Sequence, residues 1–283
     1  MSATTARSVR IGHSPDPDDA FMYYAIAKKK VGTAGFDVVQ VLEDIESLNR
    51  RALAGELEVT AISIHAYAHL ADRYALMSCG ASMGDGYGPI VVAREPFAPA
   101  ELSKKTIAIP GTLTSAYLAL RLYVGGEFSF VVVPFDEILD AVAQGRADAG
   151  LIIHEGQLTY AAHGLAKIAD LGVWWGERTG GLPLPLGGNA VRRDLGAEAM
   201  RALTKMYRDS IAFALSNREE ALAYAKGFGR GLDDGLNDRF VGMYVNALTL
   251  DYGERGRRSI RQFLDEGIAA GIVPPFGPVT FIA

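Results

Sequence analysis

Cysteine is almost absent from this sequence of 283 residues: Cys79 stands alone. A single thiol excludes an internal disulfide and any multi-cysteine metal site, and Cys79 itself reads as a small buried side chain. Basic residues are also short. Lys and Arg number 28 against 33 Asp and Glu, a net charge of −5, and nucleic-acid binding normally needs a basic surface. No apolar run approaches the ~18–20 residues of a membrane span. The opening stretch MSATTARSVRIGHSPDPDD lacks the apolar segment of a signal peptide. The expectation is a cytoplasmic protein with neither nucleic acid nor membrane as partner. Several catalytic signatures are missing as well: G-x-S-x-G, G-x-G-x-x-G after a strand, a Walker loop ending in GK[ST], and H-E-x-x-H.

What remains is 49% hydrophobic and 22% charged, ordinary for a globular chain. Short apolar runs alternate with amphipathic stretches, which favours an α/β fold. Strands are expected at Ser8–Gly12, Asp37–Leu42 and Val59–Ile64, with helices near Asp19–Lys30 and Ile45–Ala54 and a short one over His65–Arg73. Asp44 suits the N-cap of the second helix. After a strand at Pro89–Ala93 the pattern restarts, with strands at Thr106–Ile109, Phe130–Val133 and Asp148–Ile153 and helices at Ala116–Val124 and Ile138–Gln144. Two successive units thus carry three strands each in βαβαβ order. GVWWGERTGGLPLPLGGN reads as loop, leading to a return strand that ends near Val191–Asp194; the last third reads as helices Ala197–Ser216, Arg218–Phe228, Asp234–Leu248 and Arg255–Ala270. A chain that leaves one unit near residue 90 and returns near 190 makes a two-strand hinge between two α/β domains. The expected partition is 1–95 with 182–283 for the larger domain and 96–181 for the smaller, with the ligand in the cleft between them.

Four stretches carry candidate chemistry. In RADAGLIIHEGQ an apolar strand runs into His154. Ligands of open α/β sheets bind outside the carboxyl ends of strands, and an imidazole suits a general base near neutrality; a core histidine with a hydrogen-bonded partner is the other reading. In PGTLTSAY the hydroxyls of Thr112, Thr114 and Ser115 sit where free N–H groups at a helix start attract carboxylate or phosphate, although simple N-capping fits too. In HSPDPDDAFMYYA two prolines stiffen a loop, Asp18 or Asp19 can cap the next helix, and Phe21, Tyr23 and Tyr24 offer either an apolar face to a ring-shaped ligand or core packing. His13 and Asp16 match no defined metal spacing. In ISIHAYAH, Ser63 ends the third strand on the cleft side; His65 and His69 lack a nearby acid and make a weak metal pair. Trp174 and Trp175 read as a lid or a hinge plug.

Together SPDPDDAFMYYA, VLEDIESLNRRAL, GPIVVAR, PGTLTSAYLAL, AGLIIHEGQLTY, DLGVWWGERTGGLPLPLG and YVNALTLDYGERG resemble, over nearly the whole chain, the 1,4-dihydroxy-6-naphthoate synthase family of the futalosine route to menaquinone. The resemblance implies a periplasmic-binding-protein type II fold used as a cytoplasmic carbon–carbon lyase that needs no metal and no organic cofactor. It implies cyclic dehypoxanthinyl futalosine as substrate, His154 as base, and ligand contacts at Ala61, Ile62, Ser63, Thr114 and Ser115, with Thr112 and Asp18 beside them. A small-molecule substrate is the expected partner, and a homodimer is allowed. The chain departs from the family pattern twice. SPDPDDA stands where better-known members read S-P-C-P-N-D-T, which puts Asp16 and Asp18 in place of Cys and Asn; Ala61-Ile62-Ser63 stands in place of Lys-Leu-Ser, removing a lysine that would face a substrate carboxylate. Two rivals stand beside this reading: a solute-binding protein of the same fold with no chemistry, and a chorismate dehydratase-like enzyme of the same pathway.

Overall fold

The computed structural model describes residues 7–229 and 233–283. The first six residues, part of the stretch read for a leader, lie outside it. Among the described residues twelve strands form two sheets. In chain order they are β1 (Arg7–His13), β2 (Phe36–Leu42), β3 (Val59–Ser63), β4 (Tyr74–Met77), β5 (Ser82–Gly84), β6 (Ile90–Ala93), β7 (Thr106–Ile109), β8 (Ser129–Val132), β9 (Ala149–Ile152), β10 (Ala166–Asp170), β11 (Leu184–Arg192) and β12 (Phe281–Ile282). The larger sheet runs β12-β4-β11-β3-β1-β2, with β5 pairing β11, and the smaller runs β10-β6-β9-β7-β8.

The two sheets share one plan. β1 pairs in parallel with β2 on one side and β3 on the other; β7 does the same with β8 and β9. Each trio is the βαβαβ unit expected from the sequence. To each trio an antiparallel strand is added from elsewhere in the chain, β11 beside β3 and β6 beside β9. β6 thus belongs to the smaller sheet, although it precedes residue 96. Strands β3, β6 and β9 are buried along their whole lengths, as strands covered on both faces must be, which is why β6 and β9 read as apolar runs and β3 breaks its run only with the small hydroxyls of Thr60 and Ser63.

The last third packs back on the larger sheet. In the helix Ala197–Ser216, Met200, Leu203, Tyr207, Ile211 and Ala214 are buried. Their spacing of three and four residues puts them on one face, which covers Phe21, Met22 and Ala25 of the helix Pro17–Ala27 within one apolar cluster. Burying each large side chain contributes about 1.5–3 kcal/mol. Pro17 opens that first helix at a position where its missing N–H costs nothing.

Three local expectations fail. The stretch read as loop after Ala169 contains the helix Leu171–Thr179: Asp170 caps it by accepting from the Gly172 and Val173 N–H groups at 3.1 and 3.2 Å, and Gly180 ends it in the left-handed conformation. Trp175 is fully buried in the core, where it cannot act as a lid, and donates its indole N–H to Ser259 Oγ at 3.1 Å, while Trp174 packs on Tyr123. The helix read over Asp234–Leu248 is broken, because Asn246 caps a separate turn, Ala247–Leu250. Finally, the short helix after β3 ends at Tyr67, well before Arg73.

Candidate functional site

One cavity lies where the carboxyl ends of β1, β3 and β9 face each other. It is walled by Ser14, Asp16, Asp18 and Asp19 from the first loop and helix, by Ala61–Ser63 from the end of β3, by Thr114–Ala116 from the turn before the helix Ser115–Val124, and by Ile153, His154 and Gln157 after β9. Asn189 of β11 and Phe240 and Tyr244 of the helix Asp234–Tyr244 close it. No lysine or arginine stands among its lining residues. Of the expected positions, His154, Ser63, Ala61, Ile62, Thr114, Ser115 and Asp18 all come to this wall; Thr112 does not.

His154 follows β9 with φ of 55°, one of three non-glycine residues of positive φ among those described. That conformation is uncommon outside glycine and clusters at functional sites. Nδ1 lies 3.2 Å from Asp16 Oδ2, the Phe135 ring stands edge-on at 4.7 Å, and Nε2 is buried without a hydrogen-bond partner. Asp16 occupies the N-cap position of the first helix yet makes no capping bond. Its carboxylate turns instead to the Ser14 hydroxyl and to His154. The capping role expected of Asp18 or Asp19 is therefore a correction: both lie in the first helical turn, where a negative charge meets the positive end of the helix dipole.

Asp16, Asp18 and Asp19 are all buried or nearly so, and three carboxylates this close do not all ionise freely. Burial, with the Asp16 charge beside it, pushes Asp18 up to about 6. Burial and the neighbouring Asp18 push Asp19 well above the usual carboxylate range. Asp19 Oδ2 accepts from the Ser14 N–H at 3.0 Å, and Asp18 Oδ2 from Ser82 Oγ at 3.3 Å.

On the opposite wall Ser63 is clamped by Asn49. The Ser63 N–H donates to Asn49 Oδ1 at 2.8 Å, and Asn49 Nδ2 donates to Ser63 Oγ at 3.0 Å. Thr114 accepts from the Tyr117 N–H at 3.2 Å and so caps its helix, while Ser115 donates to Leu186 O. The turn before that helix is already met by a carboxylate of the chain itself: Leu113 N–H donates to Glu46 Oε2 at 3.2 Å. His65, weighed as half of a metal pair, ties the same turn to β3, its Nδ1 lying 3.2 Å from Thr114 O; burial lowers it to about 4. His13 is likewise pushed down to about 4 by burial; it lies against Ser14 O and Gln40. Phe21, Tyr23 and Tyr24 are buried in the core and do not reach the cavity. Its aromatic wall is Phe240 and Tyr244, and the Tyr244 hydroxyl meets Gln157 Nε2 at 2.8 Å. Among the described residues no cluster of three His, Cys, Asp or Glu could hold a metal ion, and no helix is long and apolar enough to cross a membrane.

Sequence reasoning missed Asn49, Glu46, Gln157, Asn189 and Tyr244. Each lies in or beside a stretch that had drawn attention, but their partners are distant in sequence and no spacing betrays them. Asp16 stands in the sequence as a residue that matches no defined metal spacing and as a departure from the family pattern, not as a partner of His154.

A protein family described as menaquinone biosynthesis matches residues 9–268. The chain is 46% identical to a 1,4-dihydroxy-6-naphthoate synthase of Thermus thermophilus, over 95% of this chain and 97% of the relative. It is 40% identical to a synthase of the same name from Streptomyces coelicolor, over 98% of each. A crystal structure of an Archaeoglobus fulgidus protein superposes with a TM-score of 0.89 at 48% identity, covering 94% of this chain and 98% of that one. The alkanesulfonate-binding protein of Xanthomonas axonopodis superposes with a TM-score of 0.68 at 14% identity, covering 96% of each chain. The last likeness speaks for the fold alone: two α/β units in the manner of periplasmic binding proteins.

Proposed function

From the premise that this chain belongs to the menaquinone biosynthesis family, among its 1,4-dihydroxy-6-naphthoate synthases, we propose that it cleaves cyclic dehypoxanthinyl futalosine to 1,4-dihydroxy-6-naphthoate with His154 as general base. The observation that carries the reading is the placement of His154. It is a ring in an uncommon backbone conformation, on the wall of the cavity, with one nitrogen against a carboxylate and the other without a partner.

In this reading the two sheets are the cores of two units, 1–95 with 182–283 and 96–181, with the first crossing moved ahead of β6. They close on the substrate in the cytoplasm. The bicyclic part lies between Phe240, Tyr244 and the apolar edge at Ile62 and Ile153. The substrate carboxylate meets the Ser63 hydroxyl and the N–H groups of Thr114 and Ser115 at the helix start, since the cavity wall supplies no cation. Neutral His154 Nε2 takes a proton from a sugar hydroxyl, and the resulting alkoxide collapses to a carbonyl as the C–C bond to the ring breaks in a retro-aldol sense. Aromatisation to the dihydroxynaphthoate supplies driving force. A positioned base typically contributes roughly 10²–10⁴-fold.

The test is incubation of the purified protein with cyclic dehypoxanthinyl futalosine and mass detection of dihydroxynaphthoate, with His154→Ala alongside. Product from the wild type and a loss of at least ~10²-fold in the variant is the expected result. Equal turnover by both removes His154 as base. Substrate recovered unchanged from the wild type removes the synthase reading in favour of a binding protein.

A further inference from the structure

Asp16 and His154 approach each other from different sheets. Asp16 sits on the loop after β1 of the larger sheet, and His154 follows β9 of the smaller. The 3.2 Å contact between Asp16 Oδ2 and His154 Nδ1 therefore bridges the cleft. Asp16 is 1% exposed and is held from its own side by the Ser14 hydroxyl. A buried carboxylate that forgoes the helix cap it is placed to make has another use for its charge. We propose that Asp16 is the positioning residue of the base, fixing His154 as the Nδ1–H tautomer only when the two halves of the molecule are closed.

The chemistry follows from which nitrogen holds the proton. A carboxylate accepts and cannot donate, so Nδ1 must carry the hydrogen that faces it. Nε2 then keeps its lone pair, and it is this nitrogen that has no partner in the protein. With the cleft open, Asp16 and His154 belong to separate walls, and either tautomer is accessible. With the cleft closed, the basic nitrogen is the one left to the substrate. Proton abstraction is thereby tied to closure, and an open site holds no oriented base. The same carboxylate stabilises the imidazolium once the proton has been taken.

The inference rests on the reading of His154 as base, and the experiment separates the two. Asp16→Asn keeps size and polarity but offers an amide that can donate to Nδ1 and favour the wrong tautomer. Side-chain ¹⁵N NMR of His154, in wild type and variant with a non-cleavable substrate analogue bound to hold the cleft closed, reads the tautomer without reference to turnover. The expected spectrum is Nδ1–H in the wild type and a shift toward Nε2–H in Asp16→Asn. In kinetics the variant should lose roughly 10–10³-fold in kcat with KM within about threefold, and Asp16→Asn/His154→Ala should be no slower than His154→Ala alone. The acid limb of kcat/KM should move to lower pH in Asp16→Asn, because a negative charge beside the imidazole is gone. The other ionisable groups around the ring are Asp18 and Asp19 behind Asp16, Glu155 on its own segment and Tyr244 across the cavity, and none is basic; they are common to both proteins. An unchanged tautomer, or an unchanged acid limb with kcat retained, overturns the proposal. Normal tautomer behaviour together with an active His154→Ala keeps the dyad and discards the base.

Discussion

Gly80 offers the sharpest test of the cavity's construction. It has φ of 77°, and a Cβ placed on it would lie 2.5 Å from Asn189 Nδ2 and 3.0 Å from Tyr207 Cε1. Asn189 is 1% exposed and Tyr207 fully buried, so neither can swing into solvent. Gly80 O also accepts from Asn189 Nδ2 at 2.9 Å. Gly80→Ala therefore meets three costs. The left-handed backbone costs an alanine about 1–2 kcal/mol. Overpacking a filled site costs about 1–3 kcal/mol, and displacing the buried amide from its acceptor adds about 1 kcal/mol. The sum is about 3–6 kcal/mol, which at about 2–3 °C per kcal/mol for a chain of this size lowers Tm by roughly 6–18 °C. Gly125 isolates the backbone part: it has φ of 72° and nothing within 4 Å of the added Cβ, so Gly125→Ala should cost only the first term. The assay is thermal and urea unfolding of both variants followed by circular dichroism. If Gly80→Ala is within about 1 kcal/mol of Gly125→Ala, the close approach of Asn189 to the Gly80 backbone is not as described and the reasoning fails.

Two further outcomes concern charge. Glu58 binds Arg10 through two contacts of 3.0 Å and Arg192 at 3.2 Å; although burial opposes it, these partners hold its carboxyl down to about 2. A depressed value means stability that is present above the ordinary carboxylate range and lost as pH falls through about 2, so Glu58→Gln should cost about 2 kcal/mol at pH 7 and progressively less in urea melts below pH 4. Asp18 has the opposite sign: raised to about 6 by burial and by Asp16, it favours the fold when protonated, and that contribution is lost as pH rises through about 6. Asp18→Asn should therefore raise stability at pH 8 by on the order of 2 kcal/mol and leave it unchanged near pH 3; a variant less stable than wild type at pH 8 refutes the shift.

Much of the fold was legible because its cues are local. The runs Ile90–Ala93 and Ala149–Ile152 are buried on both faces and announce themselves as apolar, and Val59–Ser63 does so apart from Thr60 and Ser63. Asp44 is the N-cap that its position suggested, accepting from Glu46 and Ser47 N–H. The edges were harder. β5, β10 and β12 are short and make sense only beside their partners. The helix Leu171–Thr179 contains two glycines, poor helix formers. It forms because Asp170 caps its start and Trp175 fills the core against Phe263, a tertiary gain that overrides propensity. In the site, strand ends pointed to Ser63 and His154. The pairs Asp16–His154 and Asn49–Ser63 did not show, since contacts between residues so far apart leave no periodic trace.

The same contacts bear on how a binding-protein fold can carry chemistry, since fold alone does not fix function. Among the polar links that cross between the walls, which also include Ser115 to Leu186 O and Gln157 to Tyr244, three bear on this question: Glu46 to Leu113 N–H, His65 to Thr114 O, and Asp16 to His154. The first two touch only backbone on the far side. They need no particular side chain there, and a binder could use them as well as an enzyme. His65, lowered to about 4 by burial, stays neutral across the physiological range, so Nδ1–H to Thr114 O is a contact that pH does not break. The third link differs in kind. It joins two ionisable side chains, it is buried, and it leaves one imidazole nitrogen to the cavity. A protein that only held its ligand would gain little from it, because a neutral hydrogen-bonded pair would close the cleft without burying a carboxylate among two others. The cost of that burial is intelligible if closure must also prepare a base, as proposed for His154; under that proposal it is Asp16, and not either of the other two links, that would separate catalysis from capture.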